Sequence, residues 1–149
     1  MRYYKNGQLK EEWITKNRDR EGLTKTYFES GKLKCESTYK DGKLNGSFKC
    51  FFESGSLEDD GVLKDNRYDG SWKEYYENGI LKAEYIYKDG SREGPVKEYY
   101  KNGQIAKDCP YKNNQPDGPC KTYYENGQVK EGMIFRDGKE EKLQSPLIK

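Results

Sequence analysis

The chain has no histidine. That removes the side chain most used as a general base near neutral pH, and the commonest neutral metal ligand. Its four cysteines, Cys35, Cys50, Cys109 and Cys120, show no C-x-x-C spacing, so a zinc site is not indicated. No apolar run approaches the ~20 residues that span a bilayer. Met1-Arg2-Tyr3-Tyr4 opens on a repeat rather than on a signal peptide. Entry in mid-repeat is also compatible with a fragment whose upstream part has been cut away. The expected location is cytoplasmic for the chain as given, and envelope or extracellular if an upstream signal was removed. Hydrophobic residues make up 32% and charged residues 36% of the chain, a balance that alone would suggest disorder.

What is there argues for order. Net charge is only +2, and 14 Tyr, five Phe and two Trp supply large, partly apolar surfaces. A charge so near zero gives no global pull toward nucleic acid or acidic membranes. The stretch Tyr75-Tyr76-Glu77-Asn78-Gly79-Ile80-Leu81-Lys82 occurs in six versions, beginning at Tyr3, Tyr27, Phe51, Tyr75, Tyr99 and Tyr123. The starts are evenly spaced, without insertion or deletion. A fixed period of 20–50 residues is the mark of a repeat architecture.

Each repeat carries two turn signals. The first is Asn-Gly or Ser-Gly, as in Ser30-Gly31 and Asn78-Gly79, expected to form a two-residue type I′ hairpin with positive φ at both residues. The second is a longer polar loop such as Lys40-Asp41-Gly42-Lys43-Leu44-Asn45, closed by a glycine that recurs at Gly22, Gly46, Gly70, Gly94 and Gly118. Glycines, β-branched residues and aromatics oppose helix throughout. The expected fold is all-β: an elongated single antiparallel β-meander of tandem 24-residue hairpins. Residues 1–149 form one repeat domain, with a tail over 142–149 that covers the last edge or frays. About a dozen strands ~4.8 Å apart give a twisted sheet roughly 55 Å long.

These turns set two registers. The first places Lys25 opposite Glu36, Lys49 opposite Asp60, Lys73 opposite Glu84 and Lys97 opposite Asp108. The second places Glu12 opposite Lys25 and continues through Glu36–Lys49, Asp60–Lys73, Glu84–Lys97 and Asp108–Lys121. Together they predict one ladder of alternating charge, whose pairs contribute roughly 0.2–1 kcal/mol each. On the other face an aromatic–aliphatic ladder is expected through Leu9, Phe28, Leu33, Phe52, Leu57, Tyr76, Leu81, Tyr100, Ile105, Tyr124 and Val129. Beside it, Phe48 meets Gly61 and Gly61 meets Trp72. Glycine faces an aromatic in Tyr39/Gly46, Tyr87/Gly94 and Tyr111/Gly118.

This pattern of two aromatics, Glu-Asn-Gly-x-Leu-Lys, an aromatic-Lys-Asp-Gly turn and a closing glycine resembles the bacterial variant of the MORN repeat, over residues 3 to about 141. Arrays of this variant are often described as YwqK-family antitoxin or immunity-like proteins. The resemblance implies a repeat β-sheet used as a binding scaffold, sometimes protecting against a polymorphic toxin, with no catalytic motif to carry over. The chain departs from the pattern at Glu58 and Ala106 in the lysine position, at Ser30 and Ser54, and at Pro110, which cannot donate to the ladder and is expected to weaken or bulge it.

The second register brings Cys35 opposite Cys50 and Cys109 opposite Cys120. They are two cross-strand disulfides or close dithiol pairs, or else four small buried hydrophobes. Tyr27, Phe51, Tyr75, Tyr99 and Tyr123, among Lys34, Lys82 and Lys130, form the candidate binding face. These tyrosines either anchor a partner or brace the sheet. The acids of the ladder have lysine partners, which favours charge pairing over acid–base work. No catalytic, cofactor or metal residues are expected. The expected function is non-enzymatic protein–protein binding, with an antitoxin or immunity role against a cognate toxin as its specific form. One alternative is a cell-envelope or surface protein that binds glycan or wall polymer through the Tyr-rich face. Another is contact with an anionic membrane surface. Nucleic acid is not an expected partner, since the alternating acids cancel the field a phosphate backbone needs.

Overall fold

The computed structural model describes residues 1–141. The expectation for the 142–149 tail lies outside the described residues. The strands are β1 (Arg2–Tyr3), β2 (Leu9–Glu12), β3 (Thr15–Lys16), β4 (Asp19–Arg20), β5 (Gly22–Tyr27), β6 (Leu33–Lys40), β7 (Lys43–Phe51), β8 (Leu57–Lys64) and β9 (Arg67–Tyr75). They continue as β10 (Leu81–Lys88), β11 (Ser91–Arg92), β12 (Gly94–Tyr99), β13 (Ile105–Lys112), β14 (Gln115–Pro116), β15 (Gly118–Tyr123), β16 (Val129–Arg136) and β17 (Lys139–Glu141). Fifteen of them form one open antiparallel sheet in meander order, and β3–β4 is a separate two-stranded tip. No helix is present among the described residues. The all-β repeat meander is what the sequence predicts.

The turn chemistry is the reverse of the expectation. At Asn-Gly only the glycine has positive φ. The Gly79 N–H donates to the Tyr76 carbonyl (2.8 Å) and the Tyr76 N–H to the Ile80 carbonyl (2.8 Å). This is a three-residue loop, a turn followed by a left-handed glycine. The Asn78 side chain supports it, its Oδ1 accepting from the Ile80 N–H (3.1 Å), and the Ser30-Gly31 and Ser54-Gly55 loops take the same form without that bond. The two-residue I′ turns sit in the loops read as looser. Asp41 and Gly42 have φ of 49° and 76°, and Asp65 and Asn66 have 50° and 65°.

Register follows from these turns. Tyr27 pairs with Leu33, and a one-residue shift at Lys34 then restores Thr26 opposite Cys35 and Lys25 opposite Glu36. The expected Phe28–Leu33 ladder is therefore corrected. Leu33, Leu57, Leu81, Ile105 and Val129 face Tyr27, Phe51, Tyr75, Tyr99 and Tyr123. Likewise Tyr39, Tyr87 and Tyr111 pair with Leu44, Arg92 and Pro116 across the I′ tips, not with Gly46, Gly94 and Gly118. The glycines meet aromatics on the other side, as Gly22–Tyr39, Gly70–Tyr87 and Gly94–Tyr111. Pro110 stands opposite Pro95 in unshifted register on the β12 side. On its other side the register slips between Asp108–Lys121 and Tyr111–Pro116, as it also does between Glu84–Lys97 and Tyr87–Arg92, where no proline intervenes. Every lysine–acid pair of the two registers forms as read.

The two faces differ sharply. The core face carries the buried side chains of the described residues, and one row along it runs Thr24, Ser37, Phe48, Gly61, Trp72 and Tyr85. Its centre is Leu63, Trp72, Ala83, Tyr85 and Val96, with Leu44, Phe48, Tyr87 and Tyr111 packed against it. The opposite, ladder face carries the alternating charges. Successive repeats are also tied at both ends of the hairpins. At the I′ tips, Gly42 N–H donates to Arg20 carbonyl (3.0 Å) and Gly90 N–H to Tyr68 carbonyl (2.9 Å). At the Asn-Gly ends, Tyr76 hydroxyl donates to Tyr99 carbonyl (2.8 Å) and Asn78 Nδ2 to Lys101 carbonyl (3.2 Å). Where Phe28, Ser30, Phe52 and Ser54 lack those donors, Lys32 Nζ reaches Glu53 carbonyl (2.8 Å) and Ser56 Oγ reaches Glu77 carbonyl (3.0 Å).

Candidate functional site

The expected tyrosine–lysine face is divided between the two sides of the sheet. Tyr27 and Tyr99 lie on the ladder face, donating their hydroxyls to the carboxylates of Glu12 and Glu84. Phe51, Tyr75 and Tyr123 occupy the same register position in their repeats. Lys34 and Lys130 stand over the Phe28 and Tyr124 rings, at 5.5 and 5.9 Å. Lys82 pairs with Glu74 (3.3 Å) on the core face. The one-residue shift beside each aromatic–aliphatic pair, invisible in the repeat pattern, turns the lysines over.

The ladder-face tyrosines brace the charge ladder. The Tyr27 pKa is pushed up to about 12, first by the hydrogen bond to Glu12 and then by desolvation. Tyr99 also rises to about 12, through desolvation first and the bond to Glu84 second. Lys25–Glu36 (3.3 Å) closes the ladder beside Tyr27, and Lys97–Glu84 (4.0 Å) beside Tyr99.

Both cysteine pairs form cross-strand disulfides, Cys35–Cys50 and Cys109–Cys120, with Cα atoms 4.1 and 4.2 Å apart. They differ in burial. Cys109 and Cys120 are each 1% exposed, whereas Cys35 is only half-buried.

Sequence reasoning missed a groove on the core face, next to the Asn-Gly turns. It measures about 440 Å³ and is lined by Phe52, Glu58, Asp59, Glu74, Tyr75, Tyr76, Glu77, Lys82 and Lys101. A second hollow of about 410 Å³ shares Glu74, Tyr76 and Lys82 with it and extends to Glu98, Tyr100 and Ala106. Asp59 on β8 stands directly opposite Glu74 on β9. The Asp59 carboxyl is raised above the usual range, first by burial, then by the charges of Glu74 and Glu58. Lys82 partly offsets this. Among the described residues, no three His, Cys, Asp or Glu side chains converge as metal ligands.

The floor of this groove is one cross-strand row. Its equivalent positions in successive repeats are Glu11, Cys35, Asp59, Ala83, Lys107 and Glu131, facing Thr26, Cys50, Glu74, Glu98 and Thr122. The next row, on the ladder face, is lysine at every one of 25, 49, 73, 97 and 121, and acid at every one of 12, 36, 60, 84 and 108. The row that sets register keeps its sign of charge through five repeats and departs from it at Gly132, opposite Lys121. The row that lines the groove changes at almost every repeat. Glu58, already out of pattern in the sequence, was the available signal for it.

The MORN repeat variant model matches residues 1–17, 20–41, 68–89, 92–113 and 116–135, well over half of the chain. The chain belongs to the MORN repeat variant family. No curated protein matches it. Within this MORN array, residues 42–67 are not matched, and they carry Phe52, Ser54 and Glu58, where other repeats have Tyr, Asn and Lys, together with Asp59. That stretch forms one wall of the groove.

Proposed function

We propose that this MORN array is a non-enzymatic β-sheet scaffold that works by binding another protein through the groove on its core face. The observation that carries this reading is the contrast between the two adjacent rows. Folding holds the lysine–acid row to one pattern of charge from Glu12 to Lys121, where it ends with Gly132 opposite Lys121. The groove row is released from that constraint, as a surface that reads a partner must be. An antitoxin or immunity role against a cognate toxin, as in YwqK-family bacterial arrays, is the specific form of this proposal. Co-expression with the product of the adjacent gene tests it. A complex that co-purifies and rescues growth supports the immunity role, and an adjacent product that neither binds nor harms the cell removes it.

A second reading has its own support. Two disulfides are the usual equipment of proteins in oxidising compartments, which favours an envelope or surface protein that binds glycan or wall polymer. Pull-down on purified wall polymer, with and without reductant, separates this reading from the first.

A further inference from the structure

We propose that the core-face groove centred on β8 and β9 receives a cationic segment of its protein partner, with arginine or lysine side chains seated between its aromatic walls and its carboxylates. This rests on the reading of the chain as a protein-binding scaffold and names the chemistry of the partner.

Three features lead there. The first is electrostatic. The chain as a whole is slightly positive, yet the groove is lined by four carboxylates against two lysines. Of these lysines, Lys82 is already paired with Glu74 (3.3 Å), and Lys101 stands over the Tyr76 ring (5.8 Å). Glu58 and Asp59 have no ion-pair partner among the described residues.

The second is a like-charge cost that the chain's own groups offset only in part, through Lys82 beside Glu74 and the Trp72 side chain bonded to Asp59. Cross-strand like charges destabilise a sheet, and the charge ladder avoids them at every one of its pairs. On the core face the chain accepts Asp59 against Glu74. It also places Glu58 where other repeats have Lys10, Lys34, Lys82 and Lys130. A lysine at 58 would neutralise the pair, and the fold accepts lysine at that position in each of those repeats. A cation supplied from outside resolves the same charge.

The third is the shape of the walls. Phe52, Tyr76 and Tyr100 recur one period apart along the groove, and Tyr76 is shared by both hollows. Aromatic faces beside carboxylates suit a guanidinium or alkylammonium group, which gains from the ring quadrupole as well as from charge. A row of such rings fits a chain carrying several cations, more than a single ion.

The test uses the full chain, isotopically labelled, in an NMR titration with a short peptide alternating arginine and leucine, and with its glutamate–leucine counterpart. The arginine peptide is expected to shift the signals of Glu58, Asp59, Glu74 and Tyr76, and its affinity to fall with added salt. Glu58→Lys is expected to weaken it about tenfold while leaving the thermal transition intact. Equal binding by the glutamate peptide, shifts spread over the ladder face, or affinity unchanged in Glu58→Lys would each overturn the proposal. Absence of shifts with either peptide would overturn it too. That outcome leaves the scaffold reading standing on the co-expression result, so the two fail separately. Loss of the folded state in Glu58→Lys is covered by Glu58→Gln, expected to weaken binding to a smaller degree.

Discussion

Asp59 and Glu74 face each other across two antiparallel strands, acid on acid, in a sheet whose charge ladder opposes only unlike charges. Raised above its usual value of 3.8 by burial and by Glu74 and Glu58, the Asp59 carboxyl binds its proton more tightly in the folded than in the unfolded chain. Its contribution is therefore fully present below 3.8 and is lost as pH rises through the folded value. Asp59→Asn removes that loss. The variant is expected to be more stable at neutral pH by roughly 0.2–1 kcal/mol, with a flatter pH profile through the carboxylate range. Thermal melts across that range would show it, and a variant less stable than the parent at neutral pH would contradict it.

Tyr27 and Tyr99 carry the opposite bond, hydroxyl to carboxylate. Their pKa values lie near 12 against the ordinary 10, so the stabilisation is whole below pH 10 and disappears as pH climbs through about 12. Replacing both with Phe should cost about 1 kcal/mol per hydroxyl at neutral pH. It should also make unfolding less dependent on pH between 10 and 12. Phenolate absorbance and far-ultraviolet circular dichroism, followed together in an alkaline titration, measure both.

Gly61 lies beneath the Trp72 indole. A Cβ there would come within 2.8 Å of Cδ2 and Cζ3, and the ring is held by Phe48 and Tyr68, with centroids 5.4 and 4.6 Å away. Gly61→Ala is expected to destabilise by about 1–3 kcal/mol through overpacking. Gly132→Ala meets nothing within 4 Å and should be neutral or gain up to about 1 kcal/mol. Denaturant midpoints of the two variants give the comparison.

The disulfides should reduce in order. With Cys109 and Cys120 almost fully covered and Cys35 half-buried, a mild thiol reductant reaches Cys35–Cys50 first. Alkylation followed by peptide mass spectrometry should find Cys35 and Cys50 modified while Cys109 and Cys120 remain joined. Simultaneous release of all four thiols would contradict this.

The sequence carried the fold to a depth unusual for one chain, because a strict period lets charge partners be counted. Lys25 meets Glu36 and Cys35 meets Cys50 as read. Those pairs survive two errors in the turns because the protein makes compensating shifts. The loop at Ser30-Gly31 is one residue longer than read, and Lys34 absorbs the difference. The tip at Asp41-Gly42 is tighter than read, and the residues around Asn45-Gly46 absorb that. Only pairs between turn and shift, such as Tyr27–Leu33 and Tyr39–Leu44, were misread. Asn-Gly suits either loop length by propensity, and Ser30-Gly31 and Ser54-Gly55 take the same three-residue form without an asparagine, so the turn residues alone do not separate the two lengths. The groove was less legible because it depends on which face a shifted lysine points to. Glu58 stood out in the sequence, but its neighbour across the sheet did not.

The bonds from Tyr76 to Tyr99 and from Gly90 to Tyr68 each span about one period, at opposite ends of the hairpins. They act as a pair of seams that accept a new unit only if it brings both stitches in phase. A tandem duplication of whole repeats satisfies this automatically, and a duplication of part of a repeat does not. Such an array can lengthen or shorten by whole units without reopening the question of how it folds, so its reach toward a partner is open to selection while its cross-section is not.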